Sequence, residues 1–298
     1  MLISTQTATF AAKFGDHDAI KTLAQIGYDA LDYSMFDMLS PNSPINKSDY
    51  REYAKSLRKT ADDYNIIFTQ SHAPFPSYIQ YPNKDQEKFN EIIVFEIIKA
   101  MEITSIIGGK IIIVHPIILK NQTYQERKDF NINFFSNLLP YCKKFNVKIA
   151  FENIWGWDEP EKKVIPGVCS TAQEFIDYLD SLNEIAKNHF VACLDVGHGE
   201  MAGNGAKSTV ELINALGCDR LKALHVHDND KTGDLHTLPF TQKINWDEIM
   251  TALKNINYDG DFTFEADDFI AKFPVELYLN ASLLMLDVGR YFVRKYEL

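Results

Sequence analysis

Apolar positions along the chain follow two alternating periods. Short runs rich in β-branched and aromatic residues recur at 3–7, 30–33, 66–70, 110–114, 148–151, 190–194, 221–226 and 262–264. Runs of this length, apolar on both parities, fit strands buried on both faces. Between them, apolar residues recur every three or four positions with polar residues opposite, the spacing of an amphipathic helix. The predicted helices are 16–26, 48–64, 85–107, 124–145, 171–185, 208–216, 246–256 and 274–296. Asp16 stands where the first would be capped, Gly108-Gly109 stops the third, and Pro274 opens the last.

Eight strand–helix units follow one another with no internal repeat, low-complexity tract or linker. Repeated alternation of this kind implies a parallel sheet covered by helices. Eight units in 298 residues fit a closed (β/α)8 TIM barrel, an α/β fold, better than an open sheet. One domain is therefore expected over residues 1–298. The apolar residues of the final helix, Leu277, Leu283, Leu284, Leu286, Val288 and Phe292, are expected to pack on the barrel, with a homodimer face as the alternative.

Charge narrows the classes of partner. Asp and Glu number 41 against 30 Lys and Arg, a net charge of −11, so the chain lacks the positive field used by non-specific nucleic-acid and anionic-membrane binders. No apolar run approaches the ~20 residues that span a bilayer. The first ten residues carry no basic stretch followed by an apolar core, so a cytoplasmic location is expected. Cys142, Cys169, Cys193 and Cys218 are far apart with no CxxC pair, as expected of reduced thiols.

Barrel enzymes carry their chemistry at the C-terminal ends of the strands. The third to the eighth predicted strands all end in an acid or an imidazole: Ser71-His72, His115, Glu152-Asn153, Asp195 with His198, His225 with His227, and Glu265. Asp234 and His236 follow in the seventh loop. Six of the eight histidines, His72, His115, His198, His225, His227 and His236, thus sit at or just after a strand end. A lone histidine is most simply a hydrogen-bonded structural residue. Gathering this many ionisable groups without a cation would be costly, and a divalent ion offsets that cost. Nitrogen and oxygen donors of this kind suit Zn2+, Mn2+ or Co2+.

These residues resemble the xylose-isomerase-like TIM-barrel superfamily, which holds sugar and sugar-phosphate isomerases and epimerases, inosose dehydratases and type IV apurinic endonucleases. The resemblance runs from His72 to Glu265 with the strand order intact. It is carried by Phe151-Glu152-Asn153, Leu194-Asp195-Val196-Gly197-His198, His225-Val226-His227-Asp228-Asn229-Asp230 and Phe264-Glu265. It implies one divalent metal held by Glu152, Asp195, His225 and Glu265. The endonucleases hold three zinc ions, and the positions matching their further ligands are His72, His115, His198, Asp234 and His236. The epimerases carry an arginine six residues after the metal-binding histidine. Lys231 stands there in this chain, keeping the charge but not the bidentate fork, which leaves room for an acidic or phosphorylated substrate.

The leading expectation is a metal-dependent isomerase or epimerase of a sugar, sugar phosphate or related polyol. Glu152 and Glu265 would remove and return a proton through a metal-stabilised enediolate. His72, His115, Trp155, His198, His227 and Lys231 are expected to contact the carbohydrate. A lyase or dehydratase on a sugar derivative is one alternative. An apurinic endonuclease-like phosphodiester hydrolase with a trinuclear zinc site is another, and a metal-binding subunit without activity is a third. The loop 73–84 is aromatic and proline-rich with one lysine, and 153–167 carries Trp155 and Trp157 among Asp158, Glu159 and Glu161. Both suit a small ring better than DNA. Gly197-His198-Gly199 with Gly203 and Gly205 is not GxGxxG and is expected to be a flexible barrel loop.

Overall fold

The computed structural model describes residues 1–202 and 206–298. In chain order its strands are β1 (Ile3–Gln6), β2 (Ala30–Ser34), β3 (Ile67–His72), β4 (Ile111–Val114), β5 (Lys148–Glu152), β6 (Trp155–Asp158), β7 (Lys163–Pro166), β8 (Phe190–Asp195), β9 (Leu221–His225) and β10 (Phe262–Phe264). Eight of them form one parallel sheet in the order β10-β1-β2-β3-β4-β5-β8-β9. A parallel bridge between Val226 and Phe264 joins the two ends, with Val226 N donating to Thr263 O and Glu265 N to Val226 O. The expected TIM barrel is formed, with every predicted strand in place.

The helices are α1 (Ala8–Phe14), α2 (Asp16–Ile26), α3 (Tyr50–Asp63), α4 (Phe89–Ile107), α5 (Tyr124–Phe145), α6 (Ala172–Ile185), α7 (Val196–Ala202), α8 (Ala206–Arg220), α9 (Trp246–Asn255), α10 (Asp267–Ala271) and α11 (Tyr278–Tyr296). Local chemistry sets several ends. Thr123 and Glu126 form a capping box at α5, and Gly108 ends α4 in a left-handed conformation. Asp16 does not cap α2. Gly15 holds the cap position, and Asp16 accepts from the Tyr33 and Tyr53 hydroxyls instead.

Strand alternation divides the apolar residues into two clusters. The larger lies between sheet and helices and includes Leu31, Ile112, Val114, Phe151, Leu194, Leu224 and Phe264. The smaller, Ile113, Ala150, Val191, Cys193 and Ala223, fills part of the barrel itself. Shifts of register opposite Leu31/Asp32 and Ala192/Cys193 insert Thr69 in β3 and Lys222 in β9. Each extra residue restores the parity that sends Gln70 and His225 inward. The remaining interior positions are polar: Ser4, Gln6, Asp32, Gln70 and Thr263 are all buried.

Three features were not expected. The segment 153–167 is an antiparallel hairpin of β6 and β7, not a loop. The glycine-rich stretch after Asp195 begins as helix α7; Gly203 and Gly205 lie outside the described residues. Short helices α1 and α10 follow β1 and β10, and neither is long enough for its periodicity to be read. All four cysteines are unpaired, and no helix among the described residues is long and apolar enough to cross a membrane. In α11, Leu286 and Phe292 are buried, whereas Leu283 and Leu284, like Leu277 just before the helix, face solvent.

Arg290 on α11 ties that helix to the start of β2. Its guanidinium donates to Asp29 at 2.6 and 2.7 Å, and Asp29 also accepts from Ile3 N at 2.7 Å. Burial opposes the Asp29 charge, but these donors outweigh it and hold the carboxyl below its ordinary value. A depressed folded value means stability that is present above the unfolded value of about 4 and is lost as pH falls through the folded one. Asp29→Asn is expected to cost about 1 kcal/mol at neutral pH, a modest value because water reaches the pair. Urea unfolding should show that difference shrinking below about pH 4.

Candidate metal centre

The barrel carries Glu152 at the end of β5, Asp195 at the end of β8, His225 at the end of β9 and Glu265 just after β10. One nitrogen or oxygen from each lies within 4.8 Å of all the others, and the four side chains are buried. His72, His115 and Glu152 form a second group of the same spacing, and His198, His227, Asp234 and His236 a third. Glu152 links the first two. Its Oε1 is 3.1 Å from His225 Nδ1, and its Oε2 is 3.0 Å from His115 Nε2. Every residue expected as a metal ligand is therefore brought to one rim of the barrel.

The neighbouring polar groups fix which atoms face inward. His72 Nδ1, His198 Nδ1 and His236 Nδ1 lie 2.8, 2.9 and 2.8 Å from the carbonyls of Ala73, Asn153 and Glu265. A carbonyl only accepts, so each Nδ1 carries the proton and leaves Nε2 for the site. Asn153 clamps Asp195 by donating to its carbonyl and accepting from its amide, both at 2.8 Å. Beneath His225, Asp32 Oδ2 sits 3.1 Å from Nε2 and accepts from Gln70 Nε2 at 2.8 Å. Gln6 Nε2 donates to Glu265 Oε1 at 2.6 Å. Sequence reasoning missed Asp32, Gln6 and Gln70. Their signal was present: each is a buried polar residue at an inward position of its strand.

The expected substrate contacts divide. His72, His115, His198 and His227 join the groups above. Trp155, on β6, spends its indole N–H on Asp234 Oδ2 at 3.1 Å. Lys231 is turned to α7, with its Nζ 3.1 Å from Oε2 of the buried Glu200. Asp228 is structural: it accepts from the amides of Asn229, Gln242 and Ile244 and from the Trp246 indole. Phe75 stacks on His115 with centroids 4.8 Å apart, and Phe36 packs edge-on against His72 at 4.9 Å. These two rings form an apolar wall on the His72 side of the mouth.

Opposed charges hold each other in place. Burial opposes ionisation of Glu152, yet His225 and His115 outweigh it and keep the carboxyl well below the usual range. Glu265 is likewise low, with His225 overcoming burial. Burial opposes the charge on His198, but Asp195 and Asp234 lift it to about 10. His236 rises to about 11 against burial, chiefly through its bond to Asp234. His115 is the exception, held low by burial despite Glu152. Protons on imidazoles thus balance the carboxylates where no other cation does.

Set against known proteins, residues 20–286 match the family described as xylose isomerase-like TIM barrel. The chain belongs to this family. Among curated relatives it is 26% identical over 214 residues to the uncharacterized protein MJ1311 of Methanocaldococcus jannaschii, covering 71% of this chain and 68% of that one. It is 27% identical over 172 residues to the uncharacterized protein y4fM of Sinorhizobium fredii, about half the length of each. Among solved structures it resembles D-psicose 3-epimerase with D-tagatose from Clostridium cellulolyticum H10, at 16% identity and TM-score 0.70 over 98% of this chain and 99% of that one. It also resembles 3-keto-D-glucoside 4-epimerase, YcjR, from E. coli, at 13% identity and TM-score 0.70 over 96% and 99%. A third likeness is to the IolI protein with a binding zinc atom, at 18% identity and TM-score 0.70 over 99% of both chains. At these identities the likeness to the solved structures is one of fold.

Within this family frame, one glycine is required by a close approach. The His227 ring stacks on His236, with centroids 4.1 Å apart, and lies directly over Gly197 in the first turn of α7. A Cβ at Gly197 would lie only 2.0 Å from His227 Cε1 and 2.3 Å from its Nε2. Gly197→Ala is expected to displace the ring and lower stability by about 1–3 kcal/mol. Thermal unfolding measures the loss. A crystal structure of the variant should show His227 moved away from Asp195, to which its Nε2 now lies at 3.1 Å.

Proposed function

We propose that this chain is a divalent-metal-dependent isomerase or epimerase of a sugar, sugar phosphate or related polyol. The observation that carries this reading is the buried group of Glu152, Asp195, His225 and Glu265 at the mouth of a TIM barrel. The solved structures that share the fold include sugar 3- and 4-epimerases, one with a bound sugar and another protein with zinc.

The residues fit a cation. Asp195 Oδ2 is buried and accepts no hydrogen bond. Three carboxylates within 4.8 Å of one another in a buried site repel strongly, and one divalent ion cancels most of that charge. Carboxylate and imidazole donors admit Mn2+, Zn2+ or Co2+. When bound, the ion would supply the Lewis acidity that draws charge from adjacent substrate oxygens.

The chain's own residues do the rest. Glu152 and Glu265 stand on strands separated round the barrel by β8 and β9, so they approach a bound ring from different sides. Both are held ionised, the form needed to take a proton from carbon. One removes the proton beside the carbonyl and becomes the acid; the other, once it has taken up a proton from water, delivers it to carbon from its own side, which inverts or relocates the hydroxyl-bearing centre. Phe36 and Phe75 shield the His72 side of the site from water, and Trp155 holds Asp234 in place.

A second reading is phosphodiester hydrolysis with three zinc ions, as in the type IV apurinic endonucleases. It is favoured by the two further groups beside the central one, His72 and His115 with Glu152, and His198, His227, Asp234 and His236. The acidic hairpin of β6 and β7 and the net charge of −11 count against a DNA substrate. Nicking of an abasic duplex by the zinc-loaded protein would favour this second reading.

The test of the first is deuterium exchange from D2O into a panel of ketoses, their phosphates and related polyol ketones with added Mn2+. Exchange is expected with at least one. Glu152→Gln and Glu265→Gln should each lower it by about 10^2 to 10^4 while the circular dichroism spectrum is unchanged. Full exchange in both variants would exclude the two-carboxylate mechanism.

A further inference from the structure

We propose that Asp32 is a positioning residue for the metal centre, an inference that rests on the reading of Glu152, Asp195, His225 and Glu265 as the site of one divalent ion. Asp32 fixes the proton of His225 on Nε2 and so commits Nδ1 as the atom that holds the ion.

His225 is the inverse of its neighbours. His72, His198 and His236 each hold Nδ1 against a backbone carbonyl and leave Nε2 for the site. His225 instead turns Nδ1 to the centre, 3.1 Å from Glu152 Oε1 and 3.0 Å from Glu265 Oε2. Its Nε2 faces Asp32 Oδ2 at 3.1 Å. A carboxylate only accepts, so Nε2 carries the proton and the Nδ1 lone pair is left for a cation.

The charge on Asp32 points the same way. Asp32 is fully buried, and among the described residues His225 is its one ion-pair partner. Gln70 Nε2 also donates to Oδ2, at 2.8 Å, but that bond needs only a neutral acceptor. A buried carboxylate is costly where an amide oxygen would meet the same hydrogen bonds. His225 accounts for the expense: a carboxylate at one ring nitrogen orients the imidazole and makes the other nitrogen a stronger donor to a metal.

The sheet is built around this contact. Among the described residues it shifts register at two places, and each shift delivers one partner of Asp32. The shift opposite Leu31/Asp32 turns Gln70 inward, and the shift opposite Ala192/Cys193 turns His225 inward. Both irregularities therefore converge on a single carboxylate that lies outside the three groups of ligand-type residues.

Mn2+ titration of the full chain by electron paramagnetic resonance, together with 15N-histidine spectra of the Zn2+-loaded protein, tests this. Asp32→Ala is expected to weaken the tightest Mn2+ site about 10- to 100-fold. Asp32→Asn keeps the volume and an acceptor for Nε2 but not the charge, so its loss should be about threefold or more, and smaller than that of Asp32→Ala. Ser71→Ala removes a buried hydrogen bond to Thr104 on the helix side of β3 and should leave the affinity unchanged. In the wild-type spectrum the His225 signal, assigned by its loss in His225→Gln, should show its proton on Nε2, a result that needs no Asp32 variant to fold. Unchanged affinity in both Asp32 variants, an equal loss in Ser71→Ala, or a His225 proton on Nδ1 would each overturn the proposal and leave the metal reading standing. A wild-type chain that takes up neither Mn2+ nor Zn2+ would overturn both.

Discussion

Mutual repulsion among three buried carboxylates shapes the mouth of this barrel. Glu152, Asp195 and Glu265 converge with His225 in a space where each would be expensive to ionise alone. The protein surrounds them with imidazoles, which hold Glu152 and Glu265 ionised. His72, His115 and His198 lie on the Glu152 side, and His227 and His236 on the side of Asp195 and Asp234. Such an arrangement is a poor way to stabilise a fold, because an apolar interior of the same volume would do as well or better. It makes physical sense as a preformed nest for a cation.

The fold supplies the rigidity that such a nest needs. Glu152, Asp195, His225 and Glu265 each stand at or just after the end of a hydrogen-bonded strand, and partners behind them fix their orientation. Asp32 behind His225, the Asn153 clamp on Asp195 and Gln6 behind Glu265 all come from neighbouring inward positions. The two bulges at Thr69 and Lys222 matter for this reason. Without them, the parity of β3 and β9 would turn Gln70 and His225 toward the helices.

Much of this was legible in the sequence because it rests on period and position. The alternation of short apolar runs with amphipathic stretches gave the barrel, and the acids and histidines after those runs gave the rim. What escaped has physical reasons. The hairpin of β6 and β7 contains Gly156, Asp158 and Pro166, and its two four-residue strands are too short for the Trp155/Trp157 alternation to be read as a strand. Asp16 stands where a cap belongs, yet tertiary contacts with Tyr33 and Tyr53 claim its carboxylate. Lys231 matched a family position in sequence, but whether its amine faces substrate depends on Glu200, thirty-one residues earlier in the chain. Asp32 reads as an isolated polar residue until the barrel closes and brings His225 against it.

The central claim is that Glu152, Asp195, His225 and Glu265 grip one divalent ion. Anomalous diffraction from crystals soaked in Mn2+, and separately in Zn2+, measures this directly, giving the number of ions and the donors of each. The expected result is a peak for either metal at about 2.0–2.3 Å from all four side chains. Peaks confined to other residues, or none in this group at full soak, would contradict the account.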